Sequence, residues 1–247
     1  MTYLLLFLSV AAGVVAVQLF QPQDRRKIKL LLSFAGAYIF AVTVLHLLPD
    51  VYGAGDEPAT GSAPLSGYRI GLFILAGFFV QLLLEFFSHG IEHGHTHHDH
   101  DHAGTIPVGM MFGLCVHAFL EGMPLGVPSL DPAHIHARNI LLVGIVMHNI
   151  PVSIVLFTML LHNGLVRNQA LFLMLIFALM SPFGMWCSGV AIHFSKYGHE
   201  LMAVVIGIFL HISTTILFES SEEHRFNQRK MVAIAIGAAI ALITSSL

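Results

Sequence analysis

His117 and Glu121 stand four residues apart in Val116-His117-Ala118-Phe119-Leu120-Glu121-Gly122. On a helix that spacing sends both side chains off one face toward a common point. Further along, Met147-His148-Asn149-Ile150-Pro151 offers a second imidazole with a carboxamide beside it. Imidazole nitrogen and carboxylate oxygen are ligands for Zn and neighbouring divalent ions. A third set is denser: His89, His93, His95, His97, His98, His100 and His102 are interleaved with glycine and with Glu92, Asp99 and Asp101. A glycine-bearing tract of this kind can wrap a cation without a preformed cage, and it discriminates poorly among metals. The plainer alternative is a solvated linker. Histidine reaches 17 copies in the chain, more than the 11 lysines and arginines combined.

The elements that must position these groups are membrane helices. Of 247 residues, 56% are hydrophobic and 10% charged, and mean hydropathy is +0.79. An ordinary soluble domain carries about 25% charged residues. A helix crosses the ~30 Å hydrocarbon core in about 20 apolar residues, since in lipid its backbone groups must pair internally. Eight such runs are predicted near 2–20, 29–49, 69–88, 107–129, 138–161, 169–194, 200–219 and 230–246. The first lacks a basic leader region and is read as a retained span rather than a cleaved signal. At ~1.5 Å per residue His117 and His148, approached from opposite sides, both fall about 15 Å deep. Pro124, Pro128 and Pro151 lie close by and each removes a backbone donor, so broken helices with polar groups at the midplane are expected, a pointer to a transport site. A histidine in a membrane helix can also be a simple interhelical hydrogen bond. An unpaired glutamate in hydrocarbon is far more costly, and a cation is its natural partner.

Orientation follows from the cations. Loops one, three, five and seven hold Arg25, Arg26, Lys27, Lys29, Arg167, Arg225, Arg229 and Lys230, against Arg69, Arg138 and Lys196 on the other side. Short cytoplasmic loops carry the excess of Lys and Arg. Both termini are therefore expected outside and the 89–106 loop in the cytoplasm, with 50–68 as an external loop. His46 and Asp50 then fall at the outer mouth, with His134 and His136 as weaker candidates. Glu85, His89 and Glu219 fall at the cytoplasmic exit, ahead of the histidine loop. His211 lies near the middle of the seventh span, and His193 near an outer end.

These residues in this order resemble the ZIP family of divalent-metal transporters. The likeness is carried by His46-Leu-Leu-Pro-Asp50, the histidine loop, His117-x-x-x-Glu121-Gly122 and His148-Asn-Ile-Pro151, and it runs the length of the chain. It implies an all-α polytopic fold of eight helices in a three-two-three arrangement, the flanking triplets related by an inverted repeat. It also implies uptake of Zn, or of Fe, Mn or Cd, into the cytoplasm, with His117, Glu121 and His148 as ligands from the fourth and fifth helices. Three positions depart from the family pattern. Ala118 stands where Asn, Ser or Asp is usual, Val152 where Glu is frequent, and Ser181-Pro182-Phe183-Gly184 where Glu-Pro-x-Gly is common. Without those three ligands a second, bridged metal site is missing, so one mononuclear site is expected, completed by Asn149 or water.

The chain reads as a single transmembrane domain over 1–247, in a plasma or bacterial inner membrane. Its expected partners are the metal, the bilayer and, as an open alternative, a second copy in a homodimer. A formal charge of -3 offers no basic surface for nucleic acid. Cys115 and Cys187 sit in apolar runs and read as packing residues. The competing function is an intramembrane zinc hydrolase activating water at His117, Glu121 and His148. It lacks a His-Glu-x-x-His pair or a Ser or Cys nucleophile constellation, so no enzyme is expected.

Overall fold

The computed structural model describes residues 1–20, 25–53, 67–88, 108–128, 132–190, 197–219 and 228–244. Among them run eight helices: α1 (Thr2–Phe20), α2 (Arg25–Val42, continued through a π-helical turn Thr43–Leu47 into Leu48–Gly53), α3 (Gly67–Ser88), α4 (Val108–Gly126), α5 (Pro132–His162), α6 (Arg167–Val190), α7 (Gly198–Glu219) and α8 (Gln228–Thr244). Seven of them are long and apolar enough to cross a membrane. The eighth has 17 residues, about 26 Å of helix. The chain is a multi-pass membrane protein with an all-helical fold. Helix limits differ from the expected spans mainly at α5, which begins at Pro132 rather than 138, at α2, which runs from Arg25 to Gly53 rather than over 29–49, and at α4, which stops at Gly126 with Pro128 beyond it.

The helices associate in a definite pattern. α4 packs on α6, α3 on α7, α2 on α8 and α1 on α5, with further contacts of α2 to α7, α1 to α6, α2 to α5, α4 to α7 and α3 to α4. Exchanging α1 with α6, α2 with α7, α3 with α8 and α4 with α5 maps each of the four leading pairs onto another leading pair. Because an even number of helices, four, lies between α1 and α6, the exchanged triplets run in opposite senses across the membrane. This is the inverted three-two-three arrangement. The α3–α4 contact has no counterpart of similar extent between α8 and α5 among the described residues, and the smaller α5–α6 contact has none between α4 and α1.

Lipid tails are as apolar as leucine, so close backbone approach, rather than hydrophobic burial, drives such pairing. Two crossings show it. At α4–α6 a Cβ on Gly122 would run into the Ser181 carbonyl, and one on Gly184 into the Phe119 carbonyl. At α3–α7 the Val204 carbonyl abuts Gly77 and the Ile74 carbonyl abuts Gly207 in the same way. Ser188 Oγ adds a 2.6 Å bond across α4–α6 by donating to the Met123 carbonyl.

The expected helix breaks at the midplane prolines are corrected by the structure. α4 continues through Pro124 and α5 through Pro151. Each proline lacks the N–H for one ladder bond, yet its helix runs on past it. Beyond Pro151, Ser153 Oγ turns back to donate to the Asn149 and Ile150 carbonyls at 2.6 and 2.9 Å. The ladder changes instead in α2, where the Leu48 N–H donates to the Thr43 carbonyl five residues back. Pro49 follows directly and has no N–H to continue the regular pattern. The widened turn carries His46.

Candidate metal centre

α4 presents Met110, Leu114, His117, Ala118, Glu121, Gly122 and Leu125 as one buried stripe at helical spacing. The two ionisable residues are thus held on the packed face, away from lipid. His117 is the central residue of α4, and His148 lies one residue past the centre of α5. His117 and His148 are each 1% exposed and Glu121 is fully buried. One ligand atom from each of the three lies within 4.8 Å of the others. The imidazoles meet edge to face, 5.8 Å between centroids at 83°, so their nitrogens can address a point between the helices rather than stack.

The electrostatics of this cluster call for a cation. His117 Nε2 lies 3.0 Å from Glu121 Oε1, and His117 Nδ1 lies 3.0 Å from Gln81 Oε1. A carboxamide oxygen only accepts, so Nδ1 carries the hydrogen and donates to Gln81. With His117 neutral its Nε2 lone pair faces a carboxylate oxygen, and with His117 protonated Nε2–H donates to that oxygen as an ion pair. Two acceptors at that distance repel unless a positive charge lies between them. Neither Glu121 oxygen has a hydrogen-bond partner among the described residues. A buried carboxylate so placed is costly unless it is paired or coordinates a metal.

Sequence reasoning missed Gln81. It is fully buried, and it is the single polar side chain of α3 between Arg69 and Glu85. A lone glutamine amid Phe78-Phe79-Val80 and Leu82-Leu83-Leu84 was the available signal.

Asn149, expected to complete the coordination, donates through Nδ2 to Ser9 Oγ on α1 at 3.3 Å. Its carboxamide is thus tied to α1 as well as lying beside His148. Glu85, one turn beyond Gln81 on the same face of α3, meets His211 Nε2 of α7 at 2.7 Å. Phe78 packs its ring edge on that imidazole at 4.7 Å. His211 thus has a partner in the structure that its position alone did not reveal. At the opposite end, His46 in the widened turn of α2 and Asp50 just beyond it are half-buried, and exposed His136 of α5 lies within electrostatic range of Asp50. Ala118, Val152 and Ser181, the three departures, are all buried, and the Ser181 backbone is the surface against which Gly122 packs. Glu219 is the last residue of α7. His89, His93, His95, His97, His98, His100, His102 and His193 lie outside the described residues, as does the side chain of His134.

Two comparisons bear on identity. The zinc transporter ZIP9 of Xenopus tropicalis is 31% identical over 148 residues, covering 56% of this chain and 48% of that protein. The chain therefore spans about half the length of this relative. Zinc transporter ZIP1 of Bos taurus is 25% identical over 260 residues, covering 90% of this chain and 79% of its own. The family model described as ZIP Zinc transporter matches residues 1–111 and 103–245. With the buried imidazole-carboxylate cluster at the crossing of α4 and α5 and a family match along nearly its whole length, the chain belongs to the ZIP zinc transporter family.

Proposed function

We propose that the protein carries a divalent cation, zinc first and Fe, Mn or Cd as alternatives, across the membrane into the cytoplasm through one mononuclear site formed by His117, Glu121 and His148. The observation that carries this reading is the 3.0 Å approach of His117 Nε2 to Glu121 Oε1 with His148 in ligand range. Borderline nitrogen and oxygen donors of this type suit zinc. One carboxylate against a doubly charged ion leaves the loaded site positive, which favours release over storage. Conduction needs that balance between binding and departure. Asn149 or water completes the coordination.

The route runs from His46 and Asp50 at the outer mouth, through the central site, past Glu85, His89 and Glu219 to the histidine loop, where His93, His95, His97, His98, His100 and His102 collect the ion. Its direction rests on the cation bias of the loops and on the family. Membership of a transporter family leaves the zinc hydrolase without support.

The test is metal flux into proteoliposomes holding the purified chain. His117→Ala and Glu121→Ala abolish zinc flux, whereas deletion of 93–102 changes its rate or metal preference only. Flux that survives both point changes but stops on loop deletion refutes the central site.

A further inference from the structure

We propose that Gln81 is a positioning residue that selects the tautomer of His117 and so keeps the metal centre receptive. This rests on the reading of His117 as a ligand. Alone, His117 and Glu121 have an obvious way to satisfy one another: an Nε2–H would donate to Oε1 across the 3.0 Å that separates them. That internal bond occupies the nitrogen and the oxygen that a cation needs. Gln81 opposes it from the far side of the ring. Its oxygen accepts from Nδ1 at 3.0 Å, and an imidazole that carries its hydrogen on Nδ1 has a lone pair on Nε2. Ligating histidines are commonly oriented in this way by an acceptor on the second nitrogen.

The placement of Gln81 fits this role. It is fully buried on α3, and α3 meets α4 in a contact that the internal exchange of helices does not reproduce to a similar extent among the described residues. The acceptor is also neutral. A carboxylate there would orient the ring equally well, but would make it more basic and add a second negative charge beside the ion. A carboxamide fixes the tautomer without deepening the trap.

The experiment compares the wild-type chain with Gln81→Leu, Gln81→Met and Gln81→Glu, each purified in detergent. Zinc affinity is measured by competition with a chelating dye, flux in proteoliposomes, and the His117 tautomer by nitrogen NMR of histidine-labelled protein without metal. The wild type shows hydrogen on Nδ1. Gln81→Leu and Gln81→Met move it to Nε2, weaken zinc about 10- to 100-fold and raise the half-saturating concentration for flux. Gln81→Glu restores the Nδ1 tautomer and the affinity while lowering maximal flux. Hydrogen on Nε2 in the wild type overturns the proposal without recourse to any variant. So does Gln81→Glu failing as badly as Gln81→Leu, or an affinity for Gln81→Met within threefold of wild type. His117→Ala separates the two levels of inference: if it binds and carries zinc normally the central site itself is wrong, whereas its failure beside an unaffected Gln81→Leu refutes only the role of Gln81.

Discussion

Replacing Glu121 with glutamine should make the protein more stable and a far weaker metal binder at once. In the wild type, Nε2 of His117 lies 3.0 Å from Oε1 of fully buried Glu121, two acceptors face to face when the imidazole is neutral with its hydrogen on Nδ1 and its lone pair on Nε2. In Glu121→Gln a side-chain N–H of nearly the same shape points at that lone pair, giving a hydrogen bond of about 1 kcal/mol in place of a repulsive contact. Binding a cation must then break that bond. It also forgoes a charged ligand, and hydrogen bonds to charged groups are a guide to that loss at about 1.5–3 kcal/mol. Together the penalty is about 2.5–4 kcal/mol. At 1.4 kcal/mol per decade this weakens zinc binding roughly 60- to 700-fold. Dye competition on purified protein reads the affinity, and thermal unfolding without metal reads the stability. A Glu121→Gln protein that melts well below wild type, or binds zinc within threefold of it, would refute the lone-pair argument.

Other substitutions test the scaffold around the site. Gly122→Ala places a Cβ against the Ser181 carbonyl, so α4 and α6 must part and stability drops by about 1–3 kcal/mol, seen as a lower melting temperature in detergent. His211→Ala removes the 2.7 Å partner of Glu85 and should lower the melting temperature, whereas Glu85→Gln, which keeps an acceptor oxygen there, should lower it less. Ser9→Ala takes away the acceptor of the Asn149 amide; if Asn149 completes the coordination, zinc affinity changes while His117–Glu121 geometry, followed by metal-free NMR, stays as it was. Unchanged affinity points to water as the remaining ligand.

The central cluster of His117, Glu121 and His148 was legible because its information is local. His117 and Glu121 share one helix at i and i+4, and His148 reaches the same depth by counting along another. The number and order of the spans followed from hydrophobic length, while α2 and α5 run several residues past the expected limits. What stayed hidden depends on which helices touch. The bonds from Gln81 to His117 and from Glu85 to His211 arise because α3 lies against both α4 and α7, and no periodicity within α3 names those neighbours. The prolines misled for a related reason. A proline removes one donor wherever it occurs, but whether the helix then breaks is decided by its surroundings: α4 and α5 stay continuous through theirs, whereas the ladder ahead of Pro49 widens.

The widened turn of α2 fixes the bearing of everything beyond it. An α-helix advances about 100° per residue, so a turn holding one residue more than usual swings the following segment by about that angle relative to an unbroken helix. Asp50, with His136 in electrostatic range, owes its bearing around the helix axis to that surplus residue. Excising one amino acid between Thr43 and Leu47 would return the helix to regular spacing with its carboxylate on the same bearing, whereas closing the widened turn with every residue kept would swing that carboxylate by about 100°, so spacing in this helix is as much a part of the proposed outer mouth as the identity of the groups that line it.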